Sequence, residues 1–168
     1  MSARATRATD VLARARLPYR LHEYEAPERH GTERDERPSY GREAAAVLGV
    51  GEDRIFKTLV ASIDGRLALC VVPVSASLDL KLLAAALDGH RADLADPAAA
   101  ERATGYVIGG ISPLGSRRRL PLVLDAGAAD HATILVSAGR RGLQVELAPA
   151  DLVRATDALV ALIARRAG

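Results

Sequence analysis

Two runs of strand length, Arg54–Ile63 and Arg66–Val74, stand on either side of the dipeptide Asp64-Gly65. Asp-Gly between apolar runs is a hairpin signal, because a tight turn needs positive φ and these two residues tolerate it. A chain holding so apolar a hairpin must cover it. Several segments read as helices able to do so. Residues 3–16 place Val11, Leu12 and Ala15 on one face and arginines on the other, up to Pro18. Tyr40–Leu48 is capped by Ser39 and stopped by Gly49, and Leu80–Leu87 is capped by Asp79 and closed by Gly89. A short helix follows from Pro97 to about Ala103, and a final helical region runs from Pro149, with a break near Thr156, to Arg166. Tyr19–Tyr24, Leu120–Asp125, Thr133–Ser137 and Gly142–Glu146 read as further strands. Hairpins and helices mix without regular βαβ alternation, which predicts an α+β fold on a mixed, mostly antiparallel sheet. The polar stretch 25–38, with Pro27, Gly31 and Pro38, reads as a mobile surface loop.

Length and core composition fit one domain over residues 1–168. Alanine supplies 33 residues, phenylalanine one and tryptophan none, so the core must be aliphatic. The formal charge of +2 does not by itself indicate nucleic acid. Cys70 is the only cysteine, which rules out an intrachain disulfide and a cysteine-rich metal site. His22, His30, His90 and His131 lack ligand spacing, so the expectation is no metal and no cofactor. No apolar run approaches the roughly 20 residues of a membrane span. Met1–Arg16 lacks a continuous apolar stretch of the signal-peptide kind, so the expected location is the cytoplasm.

Walker, G-x-G-x-x-G, H-E-x-x-H and G-x-S-x-G signatures are all missing. Cys70 lies in Leu67-Ala68-Leu69-Cys70-Val71-Val72, where a thiol reads as a small buried hydrophobe rather than a nucleophile. Three features carry more. Lys57 stands in the apolar strand Ile55-Phe56-Lys57-Thr58-Leu59-Val60, so its amine either escapes to solvent or meets a ligand in a cleft. Gly105-Tyr106-Val107-Ile108-Gly109-Gly110-Ile111-Ser112-Pro113-Leu114-Gly115 reads as a bent loop. It is either a plain turn or a set of amides able to hold an oxyanion. Arg117-Arg118-Arg119 and Arg140-Arg141 are either solvated charge or phosphate contacts.

Four blocks resemble the YbaK/EbsC family of bacterial Cys-tRNA(Pro) deacylases, which are related to the editing domain inserted in prolyl-tRNA synthetases. The blocks are Phe56-Lys57-Thr58-Leu59, Arg102-Ala103-Thr104-Gly105-Tyr106, Gly109–Gly115, and Val136-Ser137-Ala138-Gly139-Arg140-Arg141-Gly142-Leu143. The likeness runs from roughly Val11 to the C-terminus, with Leu78–Lys81, Val145–Ala148 and Asp151-Leu152 between and after the blocks. Ala103 replaces a common serine, Tyr40 takes a place held elsewhere by Phe, Ala138 stands where some members have Gly, and 26–38 is longer than the family's loop.

The resemblance implies a barrel-like sheet surrounded by helices and an aminoacyl-tRNA deacylase acting on tRNA(Pro), with prolyl-tRNA synthetase as the protein partner it admits. It implies that Lys57 faces the aminoacyl ester or the terminal nucleotide. Gly109, Gly110, Ile111, Ser112 and Pro113 would form a G-x-x-x-P loop lining the pocket, with Gly109 taking part in catalysis. Tyr24, Tyr40 and Thr58 would lie in that pocket, and Ser137 and Gly139 in a neighbouring substrate-side loop. Arg117, Arg118, Arg119, Arg140 and Arg141 would contact tRNA. It implies further that the substrate's own thiol attacks the ester. A deacylase for Ala- or Ser-charged tRNA and a non-catalytic tRNA- or synthetase-binding module are the competing readings.

Overall fold

The computed structural model describes residues 4–26 and 39–166. In chain order the elements are α1 (Arg7–Arg14), β1 (Arg20–Glu23), α2 (Tyr40–Leu48), β2 (Phe56–Ile63), β3 (Arg66–Pro73), β4 (Ala76–Leu78), α3 (Leu80–Ala86), β5 (Ala92–Leu94), α4 (Pro97–Thr104), β6 (Leu122–Asp125), β7 (Ile134–Arg140), β8 (Leu143–Leu147), α5 (Pro149–Thr156), β9 (Leu159–Ala161) and β10 (Ala164–Arg166). The expected hairpin is present. Asp64 and Gly65 turn at φ 50° and 86°, and β2 pairs with β3 in unbroken antiparallel register from Phe56↔Pro73 to Ile63↔Arg66. Asp64 also accepts the amides of His90 and Arg91, each at 2.9 Å, which draws β5 to the outer edge of β2.

On the other side of the hairpin, β6 lies parallel to β3 and β9 parallel to β6, giving the five-stranded order β5-β2-β3-β6-β9. A second sheet, β1-β8-β7, is antiparallel, and β4 pairs with β10 as a two-stranded ribbon. The architecture is therefore α+β, as expected, with mixed sheets and, among the described residues, five α-helices. The barrel-like expectation holds only loosely: among the described residues the strands form three sheets and no closed ring. The predicted mobile loop lies, from 27 to 38, outside the described residues.

Helix ends follow local chemistry. Ser39 Oγ accepts the Arg42 amide at the start of α2, and Gly49 ends it at φ 66°. Asp79 Oδ1 accepts the amides of Lys81 and Leu82 at 3.0 Å. The final helical region is a correction. The helix stops at Asp157, in the left-handed conformation at φ 55°, and residues 159–166 form β9 and β10 instead. Buried Asp125 is the reason: its Oδ1 accepts the amides of Ile163 and Ala164 at 3.0 and 2.9 Å. Long-range pairing thus overrides a composition that favours helix. Among the described residues no helix is long and apolar enough to cross a membrane.

Burial divides the two faces of β2. Phe56 and Val60 join the main core with Leu69, Val71, Ile111, Leu114, Val136 and Val145. On the opposite face, Ala61 and Ile63 pack with Leu83 of α3, while Ile55, just before β2, packs with Ala44 and Ala45 of α2 and with Leu135. That face therefore passes from the shelter of α2 to that of α3, and Lys57 falls between them.

Candidate functional site

Ile55 forms a parallel bridge to Leu135, which joins the start of β2 to β7. Two residues further along each strand, alternation places Lys57 and Ser137 on the same face as that bridge pair. In β8, Leu143, Val145 and Leu147 enter the main core, so Gln144 and Glu146 turn the other way. Gln144 sits between His22 and Ser137 in register. Lys57, Ser137, Gln144 and Tyr24, which is hydrogen-bonded to Gln144, thus belong to the face covered by α2.

Lys57 opens into a cleft of about 500 Å³. The start of α2 contributes Ser39 and Arg42 to its lining, the β4 region contributes Val74 to Ser77, and β10 contributes Arg165 and Arg166. The amine is half-buried and has no hydrogen-bond or ion-pair partner among the described residues. Burial first, and the Arg42 guanidinium second, push its pKa below the usual lysine range. Such a cation has no counter-charge in contact among the described residues, and an anionic ligand would supply one.

The glycine loop closes a second part of the site. Gly109, at φ +97°, lies so close to Tyr40 that a Cβ there would stand 3.1 Å from the ring. Gly110 is packed on the backbone of Arg140, where a Cβ would come within 2.7 Å of Cα. Only a bare backbone fits at Gly110, and at Gly109 a side chain would strain the backbone and displace the Tyr40 ring. Ile111, Ser112 and Pro113 are buried, and Ser112 Oγ accepts the Leu114 amide, so these residues brace the loop. The amides of Gly109 and Ile111 donate to no acceptor among the described residues. They are among the donors this loop can offer to a ligand oxygen.

Tyr40 is shared between the two parts, since its helix also carries Ser39 and Arg42. The Arg141 guanidinium stacks on the Tyr40 ring, 5.3 Å from its centroid, and is held by Glu43 through two bonds of 2.9 Å. Arg140 lies 3.8 Å from Glu23. Ser137 Oγ accepts the Gly139 amide at 3.2 Å, and Tyr24 donates its own amide to Gly142 at 2.9 Å. Burial, ahead of all other influences, raises the Tyr24 hydroxyl. Tyr24, Tyr40, Gly109, Gly110, Ser137, Gly139, Arg140 and Arg141 are therefore linked by contact or register.

Thr58 and the first arginine cluster stand apart. Thr58 alternates to the face opposite Lys57, and its Oγ1 is buried there without a hydrogen-bond partner. Arg117 and Arg118 donate backbone amides to the end of α4, and Arg119 pairs with Asp157 at 2.8 Å, so none of the three lines the cleft. Cys70 is fully buried, and burial raises its thiol to about 12. That removes the thiolate a nucleophile needs.

Four site residues escape a reading of the sequence. Gln144 could have been noticed as the polar residue buried between Leu143 and Val145. Arg42, Arg165 and Arg166 carry no local signal, since only long-range pairing brings them to Lys57.

Residues 38–155 match the family model of the aminoacyl-tRNA editing domain. A protein of Enterococcus faecalis, provisionally named as the Cys-tRNA(Pro)/Cys-tRNA(Cys) deacylase EbsC, is 32% identical over 154 residues, 90% of this chain and 88% of the relative. Among solved structures, a hypothetical protein superposes with a TM-score of 0.81 at 25% identity, covering 95% of this chain and all of the other. Another, provisionally described as a trans-editing enzyme for prolyl-tRNA synthetase, gives a TM-score of 0.80 at 24% identity over 98% of this chain and 99% of its own. At that identity the last likeness speaks for the fold.

Proposed function

The chain belongs to the aminoacyl-tRNA editing domain family, and from that premise we propose that it hydrolyses the ester of mischarged Cys-tRNA(Pro). The observation that carries this reading is a Lys57 ammonium without an ion-pair partner among the described residues, together with a glycine loop whose Gly109 and Ile111 amides are unclaimed there. Such a site can bind and orient an ester and stabilise its oxyanion, yet it presents no activated nucleophile of its own. An aminoacyl ester is already reactive, so positioning supplies much of what is needed.

The nucleophile is then the thiol of the substrate. Its sulfur attacks the ester carbonyl carbon, the bond to the ribose oxygen breaks, and that oxygen takes up the proton the thiol gives up. The products are a cyclic thiolactone and free tRNA. Lys57 faces the terminal nucleotide or the developing oxyanion, and Gly109 presents its amide to the carbonyl oxygen. Tyr24, Tyr40, Gly110 to Pro113, Ser137 and Gly139 shape the aminoacyl pocket. Thr58 belongs to the same set only from the far side of the sheet. Arg117–Arg119 and Arg140–Arg141 are assigned to the flank of the tRNA, and prolyl-tRNA synthetase is the protein partner that fits this reaction.

The test is a deacylation assay with tRNA charged separately with Cys, Ala and Ser. Preference for Cys-tRNA(Pro), with thiolactone as the released product, is the expected result. Preference for Ala- or Ser-tRNA would replace the thiol by a bound water, and binding without turnover of any of the three would make the chain a tRNA-binding module.

A further inference from the structure

The cleft beside Lys57 is lined by four cations, Lys57, Arg42, Arg165 and Arg166, and by the hydroxyls of Ser39, Ser75 and Ser77. Among the described residues no carboxylate lines it. The acidic residues next to its lining are already engaged: Glu52 by Arg42 at 3.2 Å, and Asp53 by Ser75 at 2.5 Å. Arg165 and Arg166, like Lys57, have no ion-pair partner among the described residues. The two arginines come from β10, the last described strand. Its pairing with β4 sets Arg165 opposite Ser77 and Arg166 opposite Ala76. Arg166 also reaches toward Gly127, where the Asp125 carboxylate accepts the Gly127 amide.

Concentrated positive charge and hydroxyl donors, spread over α2, β2, the β4 region and β10, are features suited to a chain of phosphates, and less so to a single carboxylate. We propose that Arg165, Arg166 and Arg42 form a phosphate track that leads away from Lys57 and seats the phosphodiester backbone next to the acylated nucleotide. This rests on the aminoacyl-tRNA reading above and adds to it the residues that hold the strand. It moves the principal backbone contact from the arginine clusters visible in the sequence to the far C-terminal strand. β10 is fixed by backbone pairing and by Asp125, whereas both arginine side chains are exposed. Their replacement therefore leaves the fold in place.

The experiment uses the full chain and the double variant R165Q/R166Q. Binding of an unacylated RNA hairpin ending in single-stranded CCA is measured against salt, and deacylation is measured on Cys-tRNA(Pro) and on cysteinyl adenosine, which carries no phosphate. The expected result has three parts. Hairpin affinity and KM for the tRNA worsen by at least tenfold. The log–log salt slope falls by about 1.4, two contacts at about 0.7 each on a single strand. Cleavage of the small ester stays within twofold of the parent. R165K/R166K should keep the parental slope. Unchanged hairpin affinity and slope in R165Q/R166Q would overturn the track, even if the parent is an active deacylase. A parent that binds the hairpin in an Arg165- and Arg166-dependent way but cleaves neither ester would leave the track standing and overturn the hydrolase reading instead.

Discussion

Gly109 rests so close to the ring of Tyr40 that a Cβ there, 3.1 Å from Cζ, would require the ring to give way. Its φ of +97° adds a second constraint that no change in Tyr40 can lift. Gly109→Ala should therefore lower stability by about 1–3 kcal/mol and reduce turnover. Tyr40→Leu in the same chain should recover only the steric part. Thermal denaturation of the single and double variants checks this, and a Gly109→Ala protein as stable and active as the parent would refute it.

Lys57→Ala should lose about a hundred- to a thousandfold in deacylation, corresponding to about 2.7–4 kcal/mol of transition-state stabilisation. Lys57→Arg should rescue poorly, because a planar fork does not replace a compact ammonium. Stability should move the other way. The folded-state pKa is depressed, so charging the amine penalises the folded protein. That penalty is complete below the folded pKa and fades as pH rises through it toward the unfolded value of about 10.4. Lys57→Met should accordingly be at least as stable as the parent near neutrality, and its advantage should shrink in alkali. Denaturant melts across that range measure it.

Cys70→Ala should cost about 1 kcal/mol and leave turnover within tenfold, or about 1.4 kcal/mol of barrier. With the thiol raised to about 12, the folded parent should resist alkylation at pH 8. Rapid labelling of Cys70 in the native protein, or loss of activity beyond tenfold in a folded variant, would contradict this.

Glu146 accepts from Thr133 at 2.6 Å, His22 at 2.7 Å and Arg54 at 2.5 Å. The Thr133 hydrogen bond leads the causes that hold its carboxyl below the usual range. The stability it gives is present above the unfolded pKa of about 4.3 and is lost as pH falls through the folded value. Glu146→Gln should cost about 1.5–3 kcal/mol at pH 7. The gap between parent and variant in urea unfolding should narrow as pH falls below the usual carboxylate range, and a gap that stays constant with pH would exclude the ionic role.

The legible parts of this fold are those governed by neighbours in sequence. Ser39 and Gly49 bracket α2, and Asp64-Gly65 turns the hairpin, because caps and tight turns are set by a few adjacent dihedrals. Residues 159–166 have the composition of a helix but form strands, because their conformation is decided by β6, β4 and the carboxylate of Asp125, up to 90 positions away in the chain. The site divides in the same way. Lys57 and the glycine loop announce themselves, one as an ion among hydrocarbons and the other as backbone without side chains. Arg165 and Arg166 look like any exposed pair until β10 is laid beside β4. Thr58 follows Lys57 directly in the chain, yet alternation sends its side chain to the other face.

The hairpin register has a further consequence. Lys57 stands opposite Val72 and Ile63 opposite Arg66, in a ladder counted without interruption from the turn at Asp64 and Gly65. That turn works as a gauge: it indexes the lysine to the cleft from the far end of the strand. A slip of one position would hand the cleft to Thr58 and drive an ammonium into hydrocarbon, with every amino acid in the chain unchanged. Insertions and deletions in this turn are therefore a hazard for the chemistry that a comparison of site residues alone would never detect.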